Sequence, residues 1–124
     1  MRILISNSSD EPIYTQIFNQ IKAQIIRGEM DAGELLPSIR GLAKDLQISV
    51  ITTKRAYEEL EREGFVETIP GKGSYVAPQN KELIREQRLR IIEDSLMDVV
   101  REGKLMGLDY EEIEEMLRIM YEEE

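Results

Sequence analysis

A chain of 124 residues without a histidine or a cysteine has few routes to covalent chemistry. Imidazole acid–base catalysis, thiolate nucleophiles, disulfides and thiolate metal sites all fall away. The carboxylates stand in no pairing whose spacing suits a general acid and base, so the residues give no support to an enzyme and call for no metal or cofactor. What remains is recognition by hydroxyls, cations and small apolar groups. These gather in the run Ser49-Val-Ile-Thr-Thr-Lys-Arg55, with Ser38 and Arg40 shortly before it and Gly71-Lys72-Gly73 after it. Serine and threonine hydroxyls and the N–H groups of lysine and arginine suit phosphate oxygens and base edges, and a small apolar side chain suits the thymine methyl. A lysine between glycines lets the backbone approach another surface closely while the cation projects. This Gly-Lys pair is no P-loop, because the position five residues before Gly71 is Val66 where that loop needs glycine.

The elements that must carry these residues can be read from spacing. Ile13, Ile17, Ile21 and Ile25 recur every four residues and predict a helix from Pro12 to Arg27, closed by Gly28. After a loop over Glu29–Leu36, Pro37 and Ser38 open a short helix through Leu46, with Ile39, Leu42, Ala43 and Leu46 apolar. Gly41 inside it costs ~1 kcal/mol relative to alanine, and the sequence offers no reason for it. Ser49 is placed to cap a third helix that runs to Glu63, with Gly64 as its stop. At 100° per residue, Thr53, Ala56, Tyr57 and Leu60 share the side that should face the core. Ile51, Arg55 and Glu58 then point outward, flanked by Thr52 and Lys54, with Ser49 and Val50 leading. Phe65–Ile69 and Ser74–Ala77 read as strands joined by the turn residues Pro70-Gly71-Lys72-Gly73. The pattern is a helix-turn-helix followed by a hairpin wing, mostly α with a small β-hairpin.

Pro78, Gln79 and Asn80 form the expected joint between a DNA-binding domain, residues 1–78, and a helical module, residues 79–124. In the module, Leu89, Ile92, Leu96, Val99 and Met106 stand at near-heptad spacing on one helix, Lys81 to Met106, and Gly107 ends it. A last helix starts at the capping box Asp109-Tyr-Glu-Glu112 and carries Ile113, Met116, Leu117 and Met120 on one stripe. So much apolar surface on two short helices predicts a homodimer, with an intramolecular hairpin as the alternative. A two-fold dimer would set two recognition helices about 34 Å apart, or a multiple of that, on a roughly palindromic site.

The net charge of −9 argues at first against a polyanion. Its distribution reverses the argument. Residues 1–78 hold nine basic against eleven acidic side chains, whereas residues 79–124 hold seven against fourteen. Between Ser38 and Tyr57 the charges are Arg40, Lys44, Lys54 and Arg55 against Asp45 alone.

Four runs, Pro12-Ile-Tyr-Thr-Gln-Ile17, Leu36-Pro-Ser-Ile-Arg-Gly-Leu-Ala43, Thr53-Lys-Arg-Ala-Tyr-Glu-Glu-Leu-Glu-Arg-Glu-Gly64 and Gly71-Lys-Gly-Ser-Tyr-Val76, together resemble the GntR family in order and spacing. The short remainder, without room for a large effector domain, resembles its YtrA-type subfamily. The resemblance implies a bacterial winged-helix transcriptional regulator, typically a repressor, whose second helix, third helix and wing touch operator DNA. By position it carries over Arg40 from the second helix, Ser49, Ile51, Thr52 and Lys54 from the third, and Gly71 at the wing tip. Many relatives have arginine where this chain has Val50. YtrA-type members commonly govern transporter genes. Helices this short leave room for at most a small-molecule effector of unspecified identity. The competing reading is a winged-helix protein-interaction module that docks through Val50 and Ile51. The N-terminal apolar run is too short for a signal peptide and nothing reaches the ~20 residues of a membrane span, so the expected compartment is the cytoplasm.

Overall fold

The computed structural model describes every residue from Met1 to Glu124. Its elements are α1 (Ile13–Ile26), α2 (Ile39–Leu46), α3 (Val50–Arg62), β1 (Val66–Ile69), β2 (Gly73–Val76), α4 (Lys81–Met106) and α5 (Tyr110–Glu123). They divide into two compact units, Met1–Ile84 and Arg85–Glu124, and the division falls inside α4.

The first unit is built around α3, which packs against α1, α2 and β1. Thr53, Ala56, Tyr57 and Leu60 line its buried face, as the 3.6-residue period requires. Ile17, Ile21 and Ile25 of α1, Leu42 and Ala43 of α2, and Phe65, Val66, Val76 and Ala77 around the hairpin close the core on it. Tyr57 reaches across this core to donate its hydroxyl proton to the Pro37 carbonyl at 2.7 Å. Burial pushes the phenol well above its ordinary range, so the group stays a donor. Thr53 satisfies its buried hydroxyl on the Ser49 carbonyl at 3.1 Å.

β1 and β2 pair antiparallel, Val66 with Val76 through Ile69 with Gly73. The segment read from sequence as a plain loop, Glu29–Leu36, does more than connect. The Gly33 and Leu36 amides donate to the carbonyls of Val76 and Ser74 at 2.8 and 2.9 Å, and the Val76 amide donates to Glu34 at 2.9 Å. A bridge between Leu35 and Tyr75 completes this pairing, so β2 is hydrogen-bonded on both sides. Backbone pairing explains the arrangement, because buried Val76 and Leu36 would otherwise carry unpaired amides into the core.

Residues 1–11 also have a role invisible in their composition. Gln16 accepts from the Ser6 amide at 2.8 Å and donates to the carbonyls of Ser6 and Glu11, both at 3.0 Å. Gln20 pairs with the Leu4 amide at 2.9 Å and its carbonyl at 2.7 Å, and Gln24 donates to the Arg2 carbonyl at 2.7 Å. The match is geometric: two residues of extended chain advance about 6.7 Å and four residues of helix about 6 Å. Alternate residues of the arm therefore meet successive turns of α1.

Four helices of the chain end on the same pair of backbone bonds, in which one amide reaches five residues back and the preceding amide three. Three of these ends place glycine in the left-handed conformation, at Gly28, Gly64 and Gly107, but α2 places Gln47 there, with φ 58°. Left-handed backbone costs an L-residue about 1–2 kcal/mol, partly offset by the greater chain entropy that glycine loses. We expect Gln47→Gly to raise stability by about 0.5–1 kcal/mol. A urea unfolding midpoint equal to or below that of the natural chain would show that the exposed Gln47 side chain contributes an interaction of its own.

Candidate nucleic-acid interface

α2 and α3 are both started by serines. Ser38 Oγ accepts from the Gly41 amide at 3.0 Å and Ser49 Oγ from the Thr52 amide at 3.1 Å. Ser49 in turn donates its hydroxyl proton to Thr52 Oγ1 at 2.7 Å. The donor capacity of Ser49 is thus consumed, while the Thr52 proton is left free to point outward. The capping geometry also accounts for Gly41: a β-carbon at that position would lie 2.8 Å from Ser38 Oγ. Glycine there leaves the cap undisturbed.

Past the cap, the first turn of α3 exposes apolar surface. Val50 is 46 % and Ile51 80 % accessible, so neither packs beneath the turn between the helices. Lys54 and Arg55 are exposed and Thr52 half-buried. Lys54 meets Glu58 at 3.8 Å, an exposed i,i+4 pair of the kind worth a few tenths of a kcal/mol, which a phosphate readily displaces. Arg40, on the outer side of α2, has no carboxylate within ion-pair distance. Arg55 lies over the Tyr14 ring, its guanidinium carbon 3.8 Å from the centroid.

The wing tip is a closed turn in which the Lys72 amide donates to the Ile69 carbonyl at 2.9 Å, with Pro70 second and Gly71 third at φ 79°. Tyr75 donates to the Lys72 carbonyl at 3.2 Å, and Thr68 and Ser74 hydroxyls meet at 3.0 Å across the strands. Gly73 adopts φ 113°, and a β-carbon there would lie 3.1 Å from Leu35 Cδ1. Lys72 itself is exposed at the tip, between these two constrained glycines.

In the second unit, Asp109 and Glu112 form the expected reciprocal capping box of α5. α5 has no buried residue, and Gly103 is the only buried residue of α4. The two helices meet at their junction, where a β-carbon on Gly103 would lie 2.6 Å from Ile113 Cδ1. Ile113 therefore packs within the chain. Leu89, Ile92, Leu96, Val99 and Met106, with Met116, Leu117 and Met120 of α5, remain exposed. The contact between α4 and α5 at their junction leaves these side chains uncovered within the chain.

Residues 13–76 match the family described as bacterial regulatory proteins, gntR family. The chain belongs to the GntR family. It is a DNA-binding transcriptional regulator with a winged helix-turn-helix, and not an enzyme. It is 34% identical over 116 residues to the HTH-type transcriptional repressor YtrA of Bacillus subtilis (strain 168), covering 94% of this chain and 89% of that one. Among solved structures, a GntR family transcriptional regulator from Listeria monocytogenes is similar with a TM-score of 0.70 at 31% identity, over 92% of this chain and 97% of the other. YtrA from Sulfolobus acidocaldarius is similar with a TM-score of 0.59 at 35% identity, over 73% and 97%. The match along nearly the whole of the Bacillus protein includes the short C-terminal helices and makes this a YtrA-type member of the GntR family. No helix is long and apolar enough to cross a membrane.

Residue order in this GntR chain did not reveal Tyr14 beside Arg55. The signal was present, since Tyr14 follows the first-turn Pro12 and Arg55 lies outward on α3, but the α1–α3 crossing that joins them is a tertiary fact. The capping explanation of Gly41 yields a cycle of four proteins. In the natural chain, Gly41→Ala gains ~1 kcal/mol of helix propensity and loses about as much by disturbing the cap, leaving stability nearly unchanged. In a Ser38→Gly background the same substitution should stabilise by the full ~1 kcal/mol. Equal effects of Gly41→Ala in both backgrounds, measured by chemical unfolding, would remove Ser38 as the reason for the glycine.

Proposed function

We propose that this regulator acts as a homodimeric repressor on a roughly palindromic operator, with residues 1–78 binding DNA and residues 79–124 holding the two copies together. The observation that carries the DNA side is the first turn of α3, where Val50, Ile51 and Lys54 project from a helix start fixed by the Ser49 cap. In this reading that turn enters the major groove. Ser49, Val50, Ile51 and Thr52 face base edges and adjacent phosphates, Lys54 and Arg55 follow them, Ser38 and Arg40 approach from α2, and Gly71, Lys72 and Gly73 approach a neighbouring groove. Repression is carried over from the similar Bacillus repressor YtrA.

Dimerisation rests on the absence of any cover within the chain for the apolar faces of α4 and α5. A second copy of the same surface is the occupant that matches both faces at once and supplies the two-fold symmetry of a palindrome. Replacing Leu96 and Val99 together by lysine in the full chain should give a monomer by sedimentation and lower operator affinity by ~10²-fold or more, because two linked half-site contacts become one. A dimer that persists through both substitutions places the interface elsewhere.

Selection of bound duplexes from a random pool is the experiment that tests the reading as a whole, since it returns the half-site, its symmetry and its spacing. Steep loss of affinity with salt is expected, and replacing Arg40 or Lys72 by alanine should make the salt slope shallower by ~1 per lost phosphate contact. Salt-independent binding to a protein in place of DNA would support docking through the exposed Val50 and Ile51 instead.

Ile51 gives the sharpest expectation, because the thymine methyl is the apolar feature of the major groove. Ile51→Ser should leave the melting temperature unchanged and reduce discrimination at one symmetric pair of base positions by ~1 kcal/mol for each half-site. Uracil in place of thymine there should weaken the natural protein and leave the serine variant indifferent. If both respond alike, Ile51 makes no such contact.

A further inference from the structure

We propose that Tyr14 is a positioning residue for DNA binding: its ring holds the Arg55 guanidinium so that the free N–H edge meets a backbone phosphate beside the groove entered by α3. This rests on the DNA-binding reading of α3 and adds to it a half-buried residue of α1.

The geometry is that of a face-on stack. The guanidinium carbon stands 3.8 Å from the ring centroid, van der Waals distance for two flat groups. All five N–H donors of arginine lie in its plane, so stacking on the face consumes none of them. No carboxylate takes them either: the neighbouring cations Lys54 and Arg62 pair with Glu58 and Glu59, whereas Arg55 has no acidic partner. An exposed arginine held in place with every donor unspent is suited to an external anion.

Its location selects the anion. Arg55 follows Ile51 by one helical turn on the same outward side of α3, about 6 Å farther from the helix start. If Ile51 reaches a base edge, Arg55 stands at the phosphate wall of that groove. Tyr14 is half-buried, in the first full turn of α1 and two residues before the buried, fully hydrogen-bonded Gln16. The platform is therefore rigid. A free arginine would lose rotamer freedom on meeting the phosphate, and the stack removes that loss in advance. The Tyr14 hydroxyl plays no part in this account.

The test uses the full chain and an operator duplex obtained by selection, with affinity read by fluorescence anisotropy over a salt series and folding by thermal melts. Arg55→Ala should weaken binding about tenfold and make the salt slope shallower by about two, one phosphate for each protomer. Tyr14→Leu should weaken binding about three- to fivefold, because the freed arginine must then lose its rotamer freedom on meeting the phosphate. Tyr14→Phe, which keeps the stack and lacks the hydroxyl, should bind as the natural protein does. The double variant Tyr14→Leu with Arg55→Ala should be no worse than Arg55→Ala alone. The proposal is overturned if the two substitutions add independently, if Tyr14→Phe fails as Tyr14→Leu does, or if either lowers the melting temperature while affinity and slope stay unchanged, which is the signature of a staple between α1 and α3. Natural protein that binds without salt dependence overturns the DNA reading as well, whereas steep binding left intact by Arg55→Ala overturns this proposal alone.

Discussion

Burial of one face of α3 is the constraint on which the rest depends. Thr53, Ala56 and Leu60 are sealed from solvent and Tyr57 nearly so, against α1, α2 and the first strand. A helix that must keep these four inward has no freedom to rotate, since a turn of one residue about its axis would expose Leu60 and drive Arg55 or Lys54 into the core. Specificity in a groove demands side chains held within a fraction of an ångström, and a helix clamped on three sides provides it. The Tyr57 bond to the Pro37 carbonyl extends the clamp to the entry of α2, so the two helices of the motif are fixed to each other by a bond through the core.

The same clamp explains why so acidic a chain can serve as a regulator of DNA. Charges that matter at a phosphate are those within about a Debye length, ~8–10 Å at physiological salt. The carboxylates Glu58, Glu59 and Glu61 of α3, and Glu63 at its end, come after its first two turns, and Glu58 and Glu59 are each engaged by a neighbouring cation. The start of the helix is free of acid, carries the positive end of the helix dipole and is followed by Lys54 and Arg55. Local order along one helix, more than the sum over the chain, sets the field that an approaching phosphate meets.

Much of this was legible from residue order. The buried face of α3, the glycine stops, the serine caps and the Asp109 capping box each depend on residues within four positions of one another, and short-range periodicity reports such features directly. What escaped depends on contacts between distant segments. The pairing of Gly33–Leu36 with the second strand needs only backbone groups, which no residue pattern advertises. The glutamines at 16, 20 and 24 do recur once per turn, and alternate residues of the arm do match that rise, but the pairing joins positions up to 22 apart. Gly41 looked like a defect until the Ser38 hydroxyl was seen to occupy the space of its β-carbon. In the interface, the exposure of Val50 and Ile51 followed from the helical angle, while the stack of Arg55 on Tyr14 required knowing where α1 crosses.

The two units solve the problem of stability in opposite ways. Residues 1–84 contain every buried large apolar side chain of the protein and can hold their shape from internal packing. Residues 85–124 contain one buried residue, a glycine, and keep two helices joined by a capped turn with most of their leucines, isoleucines and methionines exposed. Helices of 26 and 14 residues with such faces gain little from propensity alone, and most helical stability in proteins comes from packing. Order in this second unit is therefore tied to whatever covers it. If the cover is a second copy, the folding of the module, the joining of the protomers and the pairing of two α3 helices on one duplex become a single equilibrium that shifts with protein concentration. Small sequence changes in α4 or α5 would then act at a distance on DNA affinity, by altering how many chains are joined and without touching a residue that meets DNA.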